Sequence, residues 1–274
     1  MKNLLKSLIL IALFSLTLWS CKKDDTNPFD EIADSEQITQ DDATVSEENI
    51  DSYDLSDDAI LYAISNGREE DGRLEDFCVK PIVNKASKTI TVDFGTGCTD
   101  KSGRNRKGKM IITYTGIIPS PTNGRTITFE NYSVDGKEIS GTITTSALQI
   151  NADKTVQHSR TASNMLIKFT DGTTLKYNGN HTFILDINGK SDFSNKVSVK
   201  ITGSSSGTSR KGVNFTNTIS KALVTKFACA KVPVEGILEV TTDKNKASID
   251  YGNGSCDKKV TVTVNGKSKE ISLK

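Results

Sequence analysis

Apolar and polar residues alternate with a period of two through most of the chain after residue 74. In the segment KMIITYTG, Met110, Ile112 and Tyr114 share one face, and KVTVTVNG repeats the pattern. This alternation is typical of antiparallel strands with one buried and one solvated face. A change of phase at Glu130-Asn131 predicts a β-bulge there. Residues 74–274 are therefore predicted to form an all-β domain.

Turn signals separate the predicted strands at short intervals. Such dipeptides favour two-residue hairpin turns, because the central positions of those turns need positive φ. The simplest topology is an antiparallel hairpin meander of roughly a dozen strands, forming a sandwich or an open barrel. The Ser/Gly-rich segment 203–212 is the predicted boundary if the domain has two halves. The turn dipeptides are Asp135-Gly136, Asp171-Gly172, Asn188-Gly189 and Asn265-Gly266.

The first twenty residues have the pattern of an export signal. Lys2 and Lys6 precede an apolar core, Leu8–Leu18, that is shorter than the roughly 20 residues of a membrane-spanning helix. Cys21 follows directly. The run LWSC resembles the lipobox of bacterial lipoproteins, in which the cysteine is diacylated and becomes the mature N-terminus. The alternative is an ordinary signal peptide, residues 1–20, followed by a coincidental cysteine.

The residues after Cys21 extend this resemblance. The run KKDD is similar to the short charged export tag of surface lipoproteins of the Bacteroidota. The resemblance implies a protein anchored in the outer membrane by acyl chains and exposed at the cell surface, with the periplasmic face as the alternative. Several acyl chains make such an anchor effectively permanent, since each buried CH₂ contributes about 0.8 kcal/mol. The membrane is thus the first predicted partner.

The net charge of +1 hides two halves of opposite sign. Residues 22–76 carry 19 acidic and 4 basic side chains, whereas residues 77–274 carry 29 basic and 15 acidic ones. We predict a disordered acidic tether over residues 21–53, followed by a short helix and linker over residues 54–73, with Ser56 as N-cap. A second hypothesis is that the acidic arm folds back onto the basic body and competes with an acidic ligand.

Four further cysteines allow three disulfide pairings. Two related segments favour one pairing, because each has Phe near its first cysteine and closes with Asp, an aromatic residue and Gly-x-Gly before its second. We predict two stapled hairpins, Cys78–Cys98 and Cys229–Cys256, which suit an oxidising compartment. No close Cys-x-x-Cys pair supports zinc, and the Gly-x-Gly pairs lack a complete phosphate-loop pattern. No metal and no cofactor are predicted.

The densest cluster of candidate binding residues is the basic loop KSGRNRKGK. Such side chains bind phosphate or sulfate groups, and arginine binds them at two points. The predicted partners are anionic glycans or lipopolysaccharide rather than nucleic acid, because no aromatic stacking motif accompanies the charges. The alternative is a loop that is charged only for solubility. The predicted anion-binding residues are Lys101, Arg104, Arg106, Lys107 and Lys109.

A second resemblance covers residues 90–116, ITVDFGTGCTDKSGRNRKGKMIITYTG. This segment is similar to one from uncharacterised lipoproteins of the Bacteroidota, through its Gly-x-Gly-Cys turn, its basic loop and the strand that follows. The resemblance supports the predicted location and the predicted class of protein. It implies no activity, no catalytic residue and no oligomeric state.

Catalytic chemistry has little support in the sequence. His158 and His181 lie outside any metal or nucleophile motif, and Asp93 and Asp250 precede matching turns that they are expected to cap. We therefore predict a non-catalytic lipoprotein with a binding or structural role. One alternative is a carrier of lipid or another hydrophobic ligand in a curled open barrel. The other is a hydrolase that uses Asp93, Asp186 or Asp250.

Overall fold

A computed structural model describes most of the chain outside the N-terminal region. The predicted signal peptide, Cys21 and the predicted linker residues 66–73 lie outside the described part, as do Asn188 and Gly189. The side chains of residues 28–31 and of Asp186 are also outside it. The described residues are 28–65, 78–117, 119–120, 122–153, 155–186, 198–226, 229 and 232–273.

The described residues form one helix, α1 (Pro28–Ile64), and fifteen strands. Most strands are long, and several reach 13 residues. The strands are β1 (Ile82–Asn84), β2 (Thr89–Asp93), β3 (Cys98–Thr99), β4 (Asn105–Tyr114), β5 (Arg125–Val134), β6 (Lys137–Thr145), β7 (Gln149–Ile150), β8 (Val156–Lys168), β9 (Thr174–Asp186), β10 (Ser198–Thr208), β11 (Asn214–Lys226), β12 (Glu235–Thr242), β13 (Lys246–Asn253), β14 (Lys259–Val264) and β15 (Lys267–Ser272).

All strands belong to one antiparallel sheet. Its order follows the chain from β1 to β15, except that β3 and β7 lie off the main path and pair with β4 and β8. The sheet is open, with β1 and β15 at its two edges. The predicted all-β hairpin meander is confirmed, and an open sheet of this kind fits a sandwich or an open barrel.

One face of the sheet carries the apolar core. Alternate residues are fully buried along each long strand, as in β2 with Ile90 and Val92, and in β4 with Met110 and Ile112. The opposite face is rich in Thr, Ser and Lys and remains solvated. This is the period-two pattern of the sequence expressed as an inner and an outer surface.

Helix α1 lies against the inner face and is covered on nearly all sides. Between residues 32 and 64 only Glu47, Asp54 and Ile64 are exposed. The helix contacts β2 near one edge of the sheet and β13 and β14 near the other. The sheet therefore curls around α1, and the helix fills the space that an empty barrel would enclose.

The expected disordered tether over residues 21–53 is wrong from Pro28 onward. Helix α1 carries twelve acidic residues and no Lys or Arg, so charge repulsion within the segment favours an extended chain. The sheet reverses that balance, because its inner cations pair with the carboxylates of α1. Apolar residues four apart, Leu55, Ala59 and Ala63, also lie buried on the helix, as do Ile38 and Val45, which are seven apart.

The predicted short helix over residues 54–73 is part of α1 as far as Ile64. Ser56 lies inside the helix instead of capping its start, and its hydroxyl donates to the Tyr53 carbonyl at 2.7 Å. A serine inside a helix commonly satisfies its hydroxyl in this way.

The predicted boundary at residues 203–212 is also wrong, because β10 runs through it as far as Thr208. The small residues have a packing role. A Cβ at Gly203 would lie 2.2 Å from the carbonyl oxygen of Asn180, and one at Gly207 would lie 2.0 Å from that of Lys176. Glycine here allows β10 to pair closely with β9, so the segment continues the single sheet.

Two of the predicted hairpin turns have the expected backbone. Asp135-Gly136 and Asn265-Gly266 have positive φ at both residues, as a two-residue turn of this type requires. Asp171-Gly172 instead belongs to a longer turn, in which the Phe169 amide donates to the Thr173 carbonyl at 2.9 Å.

Both predicted disulfides are present. Cys78 pairs with Cys98 and Cys229 pairs with Cys256, with Cα–Cα distances of 6.0 and 5.3 Å. The first joins the start of the body to β3, and the second joins the segment before β12 to the segment after β13.

Candidate functional site

The strongest concentration of buried charge lies where the middle of α1 meets the start of β4. Arg106 points inward from β4 and is only 2% exposed. Its two terminal nitrogens donate to the two carboxylate oxygens of Asp51 at 2.7 and 2.9 Å. Its Nε donates to Asp100 Oδ2 at 2.7 Å, and Nη1 also donates to the Tyr132 hydroxyl at 2.7 Å. The guanidinium is therefore bound on all its sides.

Arg104 forms a second layer beside this pair. It lies 3.0 Å from Glu48 Oε1, 2.9 Å from Asp51 Oδ1 and 3.0 Å from Asp135 Oδ2. Glu48 is 1% exposed and also receives Lys137 Nζ at 2.6 Å. Asp51 and Glu48 of the helix thus each bind two cations of the sheet. Hydrogen bonds between ionised partners, such as these, are stronger than hydrogen bonds between neutral groups.

The local sequence explains why Arg104 and Arg106 reach the interior. Asp100 folds the preceding loop, because its Oδ1 accepts from the Arg104 amide at 2.9 Å and from the Ser102 hydroxyl at 2.6 Å. The predicted bulge is confirmed on β5, where Asn131 has φ 47° and the register to β4 shifts. The extra residue turns Tyr132 inward, toward Arg106.

Gly108 is the residue that permits this bulge. It has φ +75°, and a Cβ at that position would lie 2.1 Å from the carbonyl oxygen of Asn131. Only glycine lets the two backbones approach so closely. The glycine near the end of the basic loop thus serves strand pairing.

The ionisable groups of the site keep the same protonation state near neutral pH. Burial alone would raise the pKa of Asp51, but the hydrogen bonds and charges of Arg106 and Arg104 outweigh burial and lower it. Burial, together with the negative charges of Asp51 and Glu48, raises the pKa of Tyr132 to about 12, although Arg106 acts in the opposite direction. The pKa values of both arginines are raised, since the attraction of the carboxylates exceeds the cost of burial. The arrangement is suited to holding carboxylates and not to exchanging protons near neutral pH.

The five predicted anion-binding residues are divided between the two faces of the sheet. Arg104 and Arg106 face inward and hold carboxylates of α1. Lys107 is exposed on the outer face, Lys101 is exposed in the loop, and Lys109 lies 3.3 Å from Asp93. The loop therefore does not form one anion site, because neighbouring strand residues point to opposite faces.

A second cluster, which was not predicted from the sequence, joins α1 to β8 and β9 through stacked rings. His158 stacks between Tyr53 and Phe183, with centroid distances of 5.2 and 5.3 Å. The Arg160 guanidinium lies 3.6 Å from the Tyr53 ring centroid and donates from Nε to His158 Nε2 at 3.0 Å. The only signal was the isolated Tyr53 in an acidic segment.

This cluster strongly affects both histidines. Burial, followed by repulsion from Arg160 and Arg125, lowers the pKa of His158 to about 3. Burial and Arg160 lower the pKa of His181 to about 4. Both imidazoles are therefore neutral at physiological pH. Nearby, Arg125 forms an ion pair with Asp57 of α1, with 2.6 Å between Nη2 and Oδ1. The burial of both histidines beside α1 was not predicted from the sequence.

A small pocket of about 40 Å³ lies between α1 and strands β9 to β12. Asn49 contributes a buried Oδ1 that has no hydrogen-bond partner. Asp42 lies on the wall, where burial raises its pKa to about 6 although Asn217 Nδ2 donates to it at 2.9 Å. Most of the remaining lining is apolar. The apolar lining residues are Ile50, Phe183, Ile201, Ile219, Leu223, Pro233 and Leu238.

The carboxylates that the sequence offered for catalysis serve their own turns. Asp93 accepts from the Gly95 amide at 2.9 Å, and Asp250 accepts from the Gly252 amide at 2.8 Å. The predicted capping role of this pair is confirmed. The side chain of Asp186 lies outside the described part. Across the described residues, no three His, Cys, Asp or Glu side chains form a group that could hold a metal ion.

Comparisons with protein families, with curated proteins and with solved structures found no match. Within the described residues, no helix has both the length and the apolar character needed to cross a bilayer.

Proposed function

We propose that this chain is a lipid-anchored outer-membrane lipoprotein, attached through Cys21, with a non-catalytic binding or structural role. The observation that carries the proposal is that the acidic segment after Cys21 forms the centre of the body, where its carboxylates are held by Arg104 and Arg106. The interior is thus occupied by the chain itself. The two disulfides agree with an oxidising compartment.

Acylation of Cys21 is tested by labelling with radioactive palmitate in a bacterial host that makes lipoproteins. The wild-type chain is expected to take up label and to remain in the membrane fraction. Cys21→Ala is expected to do neither and yet to fold, because residue 21 lies before the helix. An unlabelled wild-type chain in the soluble fraction would refute the anchor.

In this proposal the body also binds polyanions, through lysines on its outer face. Arg104 and Arg106 are committed to α1, so any such binding depends on residues such as Lys101 and Lys107, which are exposed. Contacts of this kind weaken with salt, because exposed charges are screened beyond about 10 Å at 0.1 M. The ligands that this chemistry suits are sulfated or phosphorylated glycans.

Heparin chromatography tests this part of the proposal. The double variant Lys101→Glu, Lys107→Glu is expected to elute at lower salt than the wild type. A control, Lys85→Glu, Lys200→Glu, makes the same change of charge at exposed positions elsewhere. Equal elution of the two variants would show that net charge alone governs retention. Elution of the first variant with the wild type would refute a role for the basic loop.

The alternative of a carrier for a hydrophobic ligand has little room in the structure. The apolar pocket beside Asn49 measures about 40 Å³, whereas ligand sites usually measure roughly 300 Å³ or more. We expect a carrier to yield an apolar molecule in near-stoichiometric amount when the purified protein is extracted into organic solvent. Leu223→Trp, which fills the pocket, should abolish its recovery. Extracts that contain no such molecule would exclude this function.

A further inference from the structure

The start of α1 fixes how far the body can lie from an acyl anchor. Pro28 is seven residues after Cys21. A fully extended chain covers at most about 3.6 Å per residue, so seven residues span no more than about 25 Å. Since α1 is enclosed by the sheet, the body cannot move away from its own helix. The end of the body at which α1 begins must therefore lie close to the membrane.

Three neighbouring turns of the sheet lie at that end. Lys211, in the β10–β11 turn, donates to the Ala33 carbonyl at 3.1 Å. Lys269, near the start of β15, donates to Glu36 at 2.7 Å. Because successive strands alternate in direction, the β12–β13 turn lies at the same end of the strands as the β10–β11 and β14–β15 turns. We call residues 209–213, 242–246 and 264–269 the anchor rim.

The anchor rim carries more cations than anions. Its exposed charged residues are five lysines and the single acid Asp243. Lys211 and Lys269 pair with the start of α1 and hold the rim around the helix. Lys244, Lys246 and Lys267 are exposed at the tips of the turns or next to them. Lysines at such positions bind lipid phosphates as point charges.

We propose that the anchor rim rests on the membrane, with Lys244, Lys246 and Lys267 bound to the phosphates of anionic phospholipid headgroups. This inference rests on the proposed acyl anchor at Cys21. It assigns the membrane contact to lysines outside the predicted basic loop, in turns at the other end of the strand order. Anchor length and charge complementarity support it independently.

The experiment replaces natural acylation by chemical coupling. Cys21 is coupled to a maleimide lipid in vesicles with and without phosphatidylglycerol, using the chain from residue 21 onward. The other four cysteines are in disulfides and do not react. Labelling of each lysine by a water-soluble amine reagent is then followed by mass spectrometry. On anionic vesicles, Lys244, Lys246 and Lys267 should label at least fivefold more slowly than on neutral ones.

Lysines at the opposite end of the strands, away from the anchor rim, provide the control. Lys85 and Lys88 lie in the β1–β2 turn and Lys200 lies at the start of β10, and all three are exposed. Their labelling rates should be unchanged by the anionic lipid. Equal protection of both sets would overturn the proposed orientation, and so would equal exposure of both sets.

Substitution gives a second, independent measurement on the uncoupled chain. Changing Lys244, Lys246 and Lys267 to Gln should weaken its binding to phosphatidylglycerol vesicles, by roughly fivefold per lysine. The same change at Lys85, Lys88 and Lys200 should have much less effect. Equal losses would refute the rim as the contact. Because coupling does not depend on the cell, these outcomes are separate from the palmitate experiment, which alone decides acylation.

Discussion

Arg106 and Asp51 form a two-point ion pair that joins the two oppositely charged parts of the chain. The guanidinium nitrogens lie 2.7 and 2.9 Å from the two carboxylate oxygens, across a sequence separation of 55 residues. Asp51 belongs to a segment whose composition suggests an unfolded tether, and Arg106 to a loop whose composition suggests an external ligand. In the folded protein the positive charge of Arg106 balances the negative charge of Asp51.

Breaking this pair should destabilise the protein strongly. Arg106→Ala and Asp51→Ala are each expected to lower the free energy of unfolding by about 3 kcal/mol, because each leaves a buried charge that is only partly compensated: Asp51 keeps Arg104, and Arg106 keeps Asp100. Urea denaturation followed by circular dichroism measures the change. The exposed pair Lys259–Glu270, 2.7 Å apart, is the control, and Lys259→Ala should have a much smaller effect, because solvent screens an exposed ion pair. Similar losses at the two sites would contradict the assignment.

Helix α1 should not form without the sheet. It carries twelve acidic residues and no Lys or Arg, including acids in its last turns, where the helix dipole disfavours them. A synthetic peptide of residues 28–65 is expected to be mostly unfolded at pH 7 by circular dichroism. Its helix content should rise near pH 3, when the carboxylates are neutral. A peptide that is already helical at pH 7 would show that local propensity suffices.

Asp42 should make the protein less stable as the pH rises. Burial raises its pKa from 3.8 to about 6, so between these values the folded state holds a proton that the unfolded chain releases. Its contribution is complete below about pH 4 and is lost as the pH rises through about 6. Asp42→Asn should therefore gain about 2–3 kcal/mol over the wild type at pH 7.5 and little at pH 4.

Asp51→Asn is the matched control for this pH dependence, because the pKa of Asp51 is lowered. Its effect has the opposite sign: the variant should be less stable than the wild type at pH 7.5, and the difference should shrink as the pH falls below about 4. Unfolding free energies of the three proteins at the two pH values decide both points. Parallel behaviour of the two variants would contradict the assigned environments.

Neither histidine should titrate near neutral pH. Burial lowers the pKa of His158 to about 3 and that of His181 to about 4. The folded state thus resists protonation, and below about pH 6.5 both residues reduce stability because the unfolded chain takes up the protons. Proton NMR should show constant imidazole shifts between pH 5 and 8, whereas the urea-unfolded chain titrates near 6.5. A midpoint near 6.5 in the folded protein would place that ring in solvent.

Features that depend on local sequence could be predicted. Alternation marked strands such as β4 and β14, and Asp135-Gly136 and Asn265-Gly266 marked turns, because backbone conformation is decided by a few adjacent residues. The repeated ends of the two cysteine segments indicated the pairing of Cys78 with Cys98.

Features that depend on distant partners were predicted only as an alternative: the acidic segment does lie against the basic body, as the second hypothesis held, but which residues pair could not be predicted. The cations that stabilise α1 are distant in sequence. Arg104 follows its partner Glu48 by 56 residues, and Lys269 follows its partner Glu36 by 233. Local charge therefore suggested repulsion where the folded protein has attraction. Gly203 and Gly207 suggested flexibility for the same reason, since their role becomes visible only when β9 lies beside β10. The arginines of the site were identified, but their carboxylate ligands lie within the same chain.

The contacts between α1 and β15 connect opposite extremes of the polypeptide. Gln40 donates to the Ser272 carbonyl at 3.0 Å across a separation of 232 residues. Long-range contacts of this kind slow folding, because a large loop must close before they form. The helix is synthesised first, yet its last partners appear only with the final strand. A chain that lacks β15 therefore leaves part of the acidic segment 28–64 without its partners, and that segment is expected to stay unfolded until the strand has paired.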